Sequence, residues 1–287
     1  MTARFALVDV FHDGAFTGNP LAVVSGPEPD TATMQAMTRW FNLSETVFLL
    51  PPTTAAADYR ARIFTLAHEL PFAGHPTLGA CHAWLALGGT PRQPGRVVQE
   101  CGAGLVPIRQ DSDRLAFAAP PLLRAGPVDE TTLREVAAVL RIAPEAIVEA
   151  RWADNGPGWI GVMLASAEDV LAVEPVRRQE GRIDIGLVGA HPSDAEVAWE
   201  IRTLFSDGAG ALVEDPVTGS FNAAVAGWLR ETGRAAGPYI AAQGTRLGRR
   251  GRIFVDYDGA DWVGGRTLTV AEGTIPLDLA AIGPQFA

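Results

Sequence analysis

Glu69-Leu70-Pro71-Phe72-Ala73-Gly74-His75 and Glu214-Asp215-Pro216-Val217-Thr218-Gly219-Ser220 are two copies of one pattern, Glu-x-Pro-x-x-Gly followed by His or Ser. The flanks agree as well. Arg62 with Phe64 precedes the first copy and Arg202 with Phe205 the second. Each copy runs into a stretch of small residues that ends in Trp-Leu, at Trp84-Leu85 and Trp228-Leu229. Agreement on both sides favours duplication over chance. The separation is far longer than a solenoid repeat, so the pattern predicts two similar lobes and not an array.

The stretches after each copy carry a second message. Residues 77–87 hold no acid or base apart from His82, and residues 221–229 hold none. A helix that is apolar all round is buried on all sides. Gly88 and Gly233 stand where each helix should stop. The expected fold is therefore α+β: two pseudosymmetric lobes, each a curved mixed sheet wrapped round a central apolar helix. The helix heads leave free backbone N–H groups beside Gly74 and Gly219, where another group can approach closely. Two such heads facing one cleft would suit a carboxylate.

Outward from these segments, residues 6–10, 21–24, 46–50 and 59–64 read as strands, and residues 32–41 as a helix closed by Asn42-Leu43-Ser44. The Pro- and Gly-rich stretch over 118–127 is the best boundary. It divides the chain into an N-terminal lobe over 1–119, with residues 271–287 as candidates to return to it, and a C-terminal lobe over 120–270. A helix is expected over 130–140, and strands over 159–164, 183–188 and 253–255.

The chain has 287 residues and a formal net charge of −10, which argues against a nucleic-acid partner. Its one basic run, Arg246 with Arg249, Arg250 and Arg252, reads as a solvated loop or a rim that attracts an anionic substrate. No apolar run reaches the roughly 20 residues of a membrane span. The start, Met1-Thr2-Ala3-Arg4-Phe5, lacks a signal-peptide pattern, and the expected location is the cytoplasm. Cys81 and Cys101 supply no disulfide framework. His68, His75 and His82 recur every seventh residue, but Pro71 and Pro76 break any single helix through them, so no metal site is expected.

Five segments in order carry a family resemblance. They are Gly18-Asn19-Pro20-Leu21-Ala22-Val23-Val24, Asn42-Leu43-Ser44-Glu45-Thr46-Val47-Phe48, the two copies above, and Gln243-Gly244 with Gly248-Arg249-Arg250-Gly251. Together they resemble the PhzF-like, phenazine-biosynthesis isomerase family. The resemblance implies a diaminopimelate-epimerase-like fold, an active site between the lobes, no cofactor, a small carboxylate substrate and a homodimer. It also implies that Glu45 is the general acid/base and that His75 and Asp215 belong to the catalytic site. Thr218, Gly219 and Ser220 would hold the substrate, with Gly74, Asn19 and Ser44 lining the same cleft. Related racemases place a cysteine at each helix head; here those loops contain none.

Each residue has a plainer reading. Glu45 could be a solvated strand entrance, His75 a helix cap, Asp215 a turn residue before Pro216, and Ser220 an N-cap. The expected reaction is a proton shift in which Glu45 removes an activated C–H proton and returns it to another carbon. Two rivals stand beside it. One is an epimerase or racemase pairing Glu45 with Asp215 or His75; the other is a non-catalytic small-anion-binding protein.

Overall fold

The computed structural model describes residues 2–207 and 209–277, which fall into two compact units. The described residues of the first unit are 2–10, 20–117 and those from 266 onward; the second takes 11–19 and 118–265. Residues 278–287, part of the segment expected to return to the first lobe, lie outside the described residues.

The first unit begins with β1 (Thr2–Val10), β2 (Asn19–Ser25), α1 (Thr31–Phe41), β3 (Glu45–Leu50) and β4 (Tyr59–Thr65). It continues with β5 (Glu69–Leu70), α2 (Gly74–Ala86), β6 (Arg96–Cys101), β7 (Gly104–Gln110) and β8 (Leu115–Ala118). The second contains β9 (Arg124–Pro127), α3 (Glu130–Leu140), β10 (Glu149–Asp154), β11 (Ile160–Met163), α4 (Ala167–Ala172) and β12 (Asp184–Ala190). After these come β13 (Trp199–Ser206), β14 (Leu212–Asp215), α5 (Gly219–Glu231), β15 (Tyr239–Gln243), β16 (Gly251–Asp256) and β17 (Trp262–Gly265). A last strand, β18 (Thr267–Pro276), pairs antiparallel with β1 in the first unit.

The two units share one order of elements. In the first, β2 and β3 run parallel with α1 between them, and β4 returns antiparallel. A short β5 folds back on β4, α2 follows, and β6 lies parallel to β4. In the second, β11 and β12 run parallel around α4, β13 returns antiparallel, β14 folds back, α5 follows and β15 lies parallel to β13. Each copy of the Glu-x-Pro motif thus closes a strand pair and opens a helix. The ion pairs correspond: Arg62 grips Glu69 at 2.8 and 2.6 Å, and Arg202 grips Glu214 at 3.2 and 2.9 Å. Strand register corrects one expected match. Phe64 opposes Glu69, and its counterpart opposite Glu214 is Leu204, not Phe205.

Both central helices have 13 residues and begin at the motif glycine, earlier than expected. They stop where expected, with Gly88 at φ +92° and Gly233 at φ +68° just beyond. Their first turns are buried, and only the last turns emerge. Pro76 sits in the first turn of α2, where its missing N–H removes no helical bond. His75 and His82 therefore share a helix, contrary to the sequence reading. His82 is not aimed at a ligand cluster: its ring nitrogens meet the Thr267 and Thr269 hydroxyls, each at 2.9 Å.

Glycines set how closely α5 meets its sheet. Gly161 and Gly186 are register partners on β11 and β12. A Cβ on Gly186 would lie 2.1 Å from the Phe221 ring, and one on Gly161 2.8 Å from that of Trp228. Gly186→Ala is expected to cost about 1–3 kcal/mol through overpacking, measured by denaturant midpoint. Combined with Phe221→Leu it should cost less than the sum of the two changes. Strict additivity would show that the ring does not crowd that position.

Residues 11–19 join the second unit because their partners lie there. Arg249 Nη1 donates to the Phe16 carbonyl at 2.9 Å, and the Arg250 N–H to the Thr17 carbonyl at 2.8 Å. Arg250 also pairs with Asp13 at 2.7 Å, and Arg246 with Glu174. The basic run is thus engaged by protein partners. No described helix is long and apolar enough to cross a membrane.

Candidate active site

In the first unit the candidate residues gather at the head of α2. Gly74 is its first residue and His75 its second; both are buried, and Ala73 before them has no side chain to cap the helix. Glu45 opens β3, and its Oε2 lies 3.6 Å from His75 Nδ1. Ser44 precedes it, partly buried. This is a polar contact and not an ion pair, because the imidazole is neutral. Burial pushes His75 down from 6.5 to about 3, and a hydrogen bond with the Pro20 carbonyl opposes that without overcoming it.

A neutral buried histidine makes stability depend on pH in a definite sense. The unfolded chain takes up the proton near 6.5 and the folded chain only near 3, so the unfolded state binds more protons in that window. Stability should fall as pH drops from 6.5 towards 3. For His75→Gln, the loss between about pH 7 and about pH 4.5 should shrink by about 2 kcal/mol, read from urea titrations. An unchanged pH dependence would mean that the imidazole is charged in the folded chain.

In the second unit the residues form a hydrogen-bonded network at the head of α5. Asn19 is fully buried, and its Nδ2 donates to Asp215 Oδ1 at 3.0 Å and to the Val217 carbonyl at 2.9 Å. Thr218 is the N-cap residue, but its hydroxyl turns to Asp215 Oδ2 and does not cap the helix. The cap expected at Ser220 is therefore corrected. Ser220 is the second residue of the helix, with its Oγ accepting from Trp159 Nε1 at 3.0 Å. His75 and Ser220 occupy the same position in their helices.

Gln243 organises this network, although the sequence reading treated it only as part of a motif. Its Oε1 accepts from the Thr218 N–H at 3.0 Å and from Asn222 Nδ2 at 2.8 Å. Its Nε2 donates to Thr203 Oγ1 and to the Asp215 carbonyl. Gly244 follows because a Cβ there would stand 2.7 Å from the Pro216 carbonyl. Asn155 and Trp159 were also missed. Asn155 lies in the loop before β11, and Trp159, expected to open that strand, is the last residue before it; nothing local signals that either reaches α5.

Neither thiol stands at a helix head. Cys81 is buried inside α2 and Cys101 ends β6, and burial pushes both thiols up. The chemistry on offer comes from a carboxylate beside a neutral imidazole in one unit and oriented amides and hydroxyls in the other.

Mixed strands packed on a few buried helices define an α/β fold, and comparison with known proteins makes its class specific. The model of the phenazine biosynthesis-like protein family (PhzC-PhzF) matches residues 8–273, and the chain belongs to that family of isomerases. It is 32% identical to the trans-2,3-dihydro-3-hydroxyanthranilate isomerase of Pseudomonas aeruginosa, over 90% of this chain and 91% of that one. It is 31% identical to the antisense-enhancing sequence 1 protein of Schizosaccharomyces pombe, over 94% and 97%. Among solved structures, a predicted epimerase from Pseudomonas aeruginosa superposes with a TM-score of 0.77 at 29% identity, over 95% and 99% of the two chains.

Proposed function

We propose that this isomerase shifts a proton on a small carboxylate without a cofactor, with Glu45 as the acid/base. The observation that carries the reading is Glu45 held 3.6 Å from a neutral, buried imidazole at the head of a buried helix. In the proposed step the Glu45 carboxylate takes a proton from an activated C–H. Hydrogen-bond donors already in place stabilise the charge that develops, at little cost in reorganisation. Glu45, now protonated, delivers the proton to a conjugated carbon.

The neutral His75 contributes a hydrogen bond and not a positive charge. Asp215 accepts from Asn19 and Thr218, which holds it in place to position a polar group of the substrate. Thr218, Gly219 and Ser220 present the α5 head to the carboxylate. The proposal extends to a homodimer in the cytoplasm, which sedimentation and fractionation would check. The primary test is a screen of small carboxylates in D2O, read by NMR and including trans-2,3-dihydro-3-hydroxyanthranilate, the compound named for the relatives. Label should enter at least one acid. Tight binding with no label in any would leave an anion-binding protein.

A further inference from the structure

Gln99, on β6 beside its register partner Tyr59 of β4, reaches the first turn of α2. Its Nε2 donates to Thr77 Oγ1 at 3.0 Å, and its Oε1 accepts from the Tyr59 hydroxyl at 3.0 Å. Thr77 is the fourth residue of α2, and its own hydroxyl donates to the Ala73 carbonyl at 2.8 Å. Tyr59, Gln99 and Thr77 are all buried. A carbonyl only accepts, so the last bond fixes the direction of the whole chain, from Tyr59 through Gln99 and Thr77 to Ala73. Burial pushes the Tyr59 phenol well above its ordinary range, which keeps it a donor.

The second unit repeats the device with other residues. Asn222, the fourth residue of α5, donates to the Thr218 carbonyl at 2.9 Å and to Gln243 Oε1 at 2.8 Å. In each unit a buried glutamine from the strand after the central helix is thus linked, through one side chain, to the carbonyl of the N-cap residue. In α2 this clamp stands in for a cap, because Ala73 has no capping side chain and Pro76 has no N–H. The clamped turn carries His75, whose Nδ1 lies 3.6 Å from Glu45 Oε2. We infer that Gln99 is a positioning residue that acts through Thr77: it fixes the first turn of α2 and so holds the His75 imidazole against Glu45. The inference rests on the proton-shift reading and adds to it a residue that lies outside the five motif segments.

The test is nitrogen NMR of the His75 ring in the full chain at neutral pH, with the signals assigned through His75→Gln. Glu45→Gln should move those signals in wild type, because the carboxylate is the ring's neighbour. In Thr77→Val and in Gln99→Met backgrounds the same change should move them less than about half as far, since the coupling fades once the ring is displaced. Thr77→Ser keeps the hydroxyl and should restore the full movement. With the acid that labels fastest in the D2O screen, Thr77→Val should lower kcat about tenfold and leave KM within about twofold. Thr77→Ser should recover kcat. Thermal melts establish which variants are folded, and Thr77→Val decides if Gln99→Met does not fold. Full movement in folded Thr77→Val, no movement in wild type, no recovery in Thr77→Ser, or an unaltered kcat in Thr77→Val would each overturn the inference. If wild type labels no acid, the proton-shift reading fails, and the ring signals alone decide whether the clamp stands.

Discussion

Glu45→Gln is expected to slow proton exchange by about 10²-fold or more while leaving carboxylate binding and thermal stability nearly unchanged. The substitution keeps the shape of the side chain and removes the group that exchanges a proton. Glu45 lies at the first position of β3, and an amide of the same shape fits there at little cost in stability. Binding should survive because the proposed reading assigns recognition of the carboxylate to residues other than Glu45. Glu45→Asp separates chemistry from placement: it keeps the carboxyl group but withdraws it by about one bond, and a misplacement of about 1 Å can itself cost about 10²-fold. Full exchange in Glu45→Gln would dismiss Glu45 and turn attention to Asp215 and His75.

The second large effect concerns stability. Arg202→Ala is expected to cost about 3–5 kcal/mol, because it leaves the Glu214 carboxylate without its cation in a nearly closed site. Arg202 is 2% exposed, and its Nη1 also donates to the Val170 and Val173 carbonyls at 2.8 and 2.9 Å. Its counterpart offers an internal control. Arg62 and Glu69 make the same bidentate pair, but their side chains are 19% and 38% exposed. Water can replace that partner, so Arg62→Ala should cost no more than about 1 kcal/mol. Paired urea titrations decide the matter. Equal losses would show that burial does not set the difference.

Much of this fold was legible because its signals are local. Asn42, with φ +55°, closes α1 where expected, and α3 occupies the 130–140 stretch read as a helix. The echo placed both central helices because Arg, Glu, Pro and Gly recur together, and each has a mechanical role in the strand pair or the helix start. The helix heads were read too late, since Pro76 looks like a breaker until its first-turn position is known. What escaped the sequence depends on partners far along the chain. Asn19 meets Asp215, and Phe16 meets Arg249. Asn155 and Gln243 acquire their roles only when strands bring them to α5. Site residues named from motifs were therefore easier to find than the amides that hold them in place.

The central claim is that one carboxylate carries a proton from one carbon of a substrate to another. The most direct measurement uses an acid identified in the D2O screen, deuterated at its acidic carbon and turned over in ordinary water by wild-type protein. The product should show a moved double bond, with part of the deuterium retained at the new carbon, because Glu45 delivers some of the label before it exchanges. Complete washout at a stereocentre that stays sp³, with no double-bond shift, would contradict the account and make the chain an epimerase.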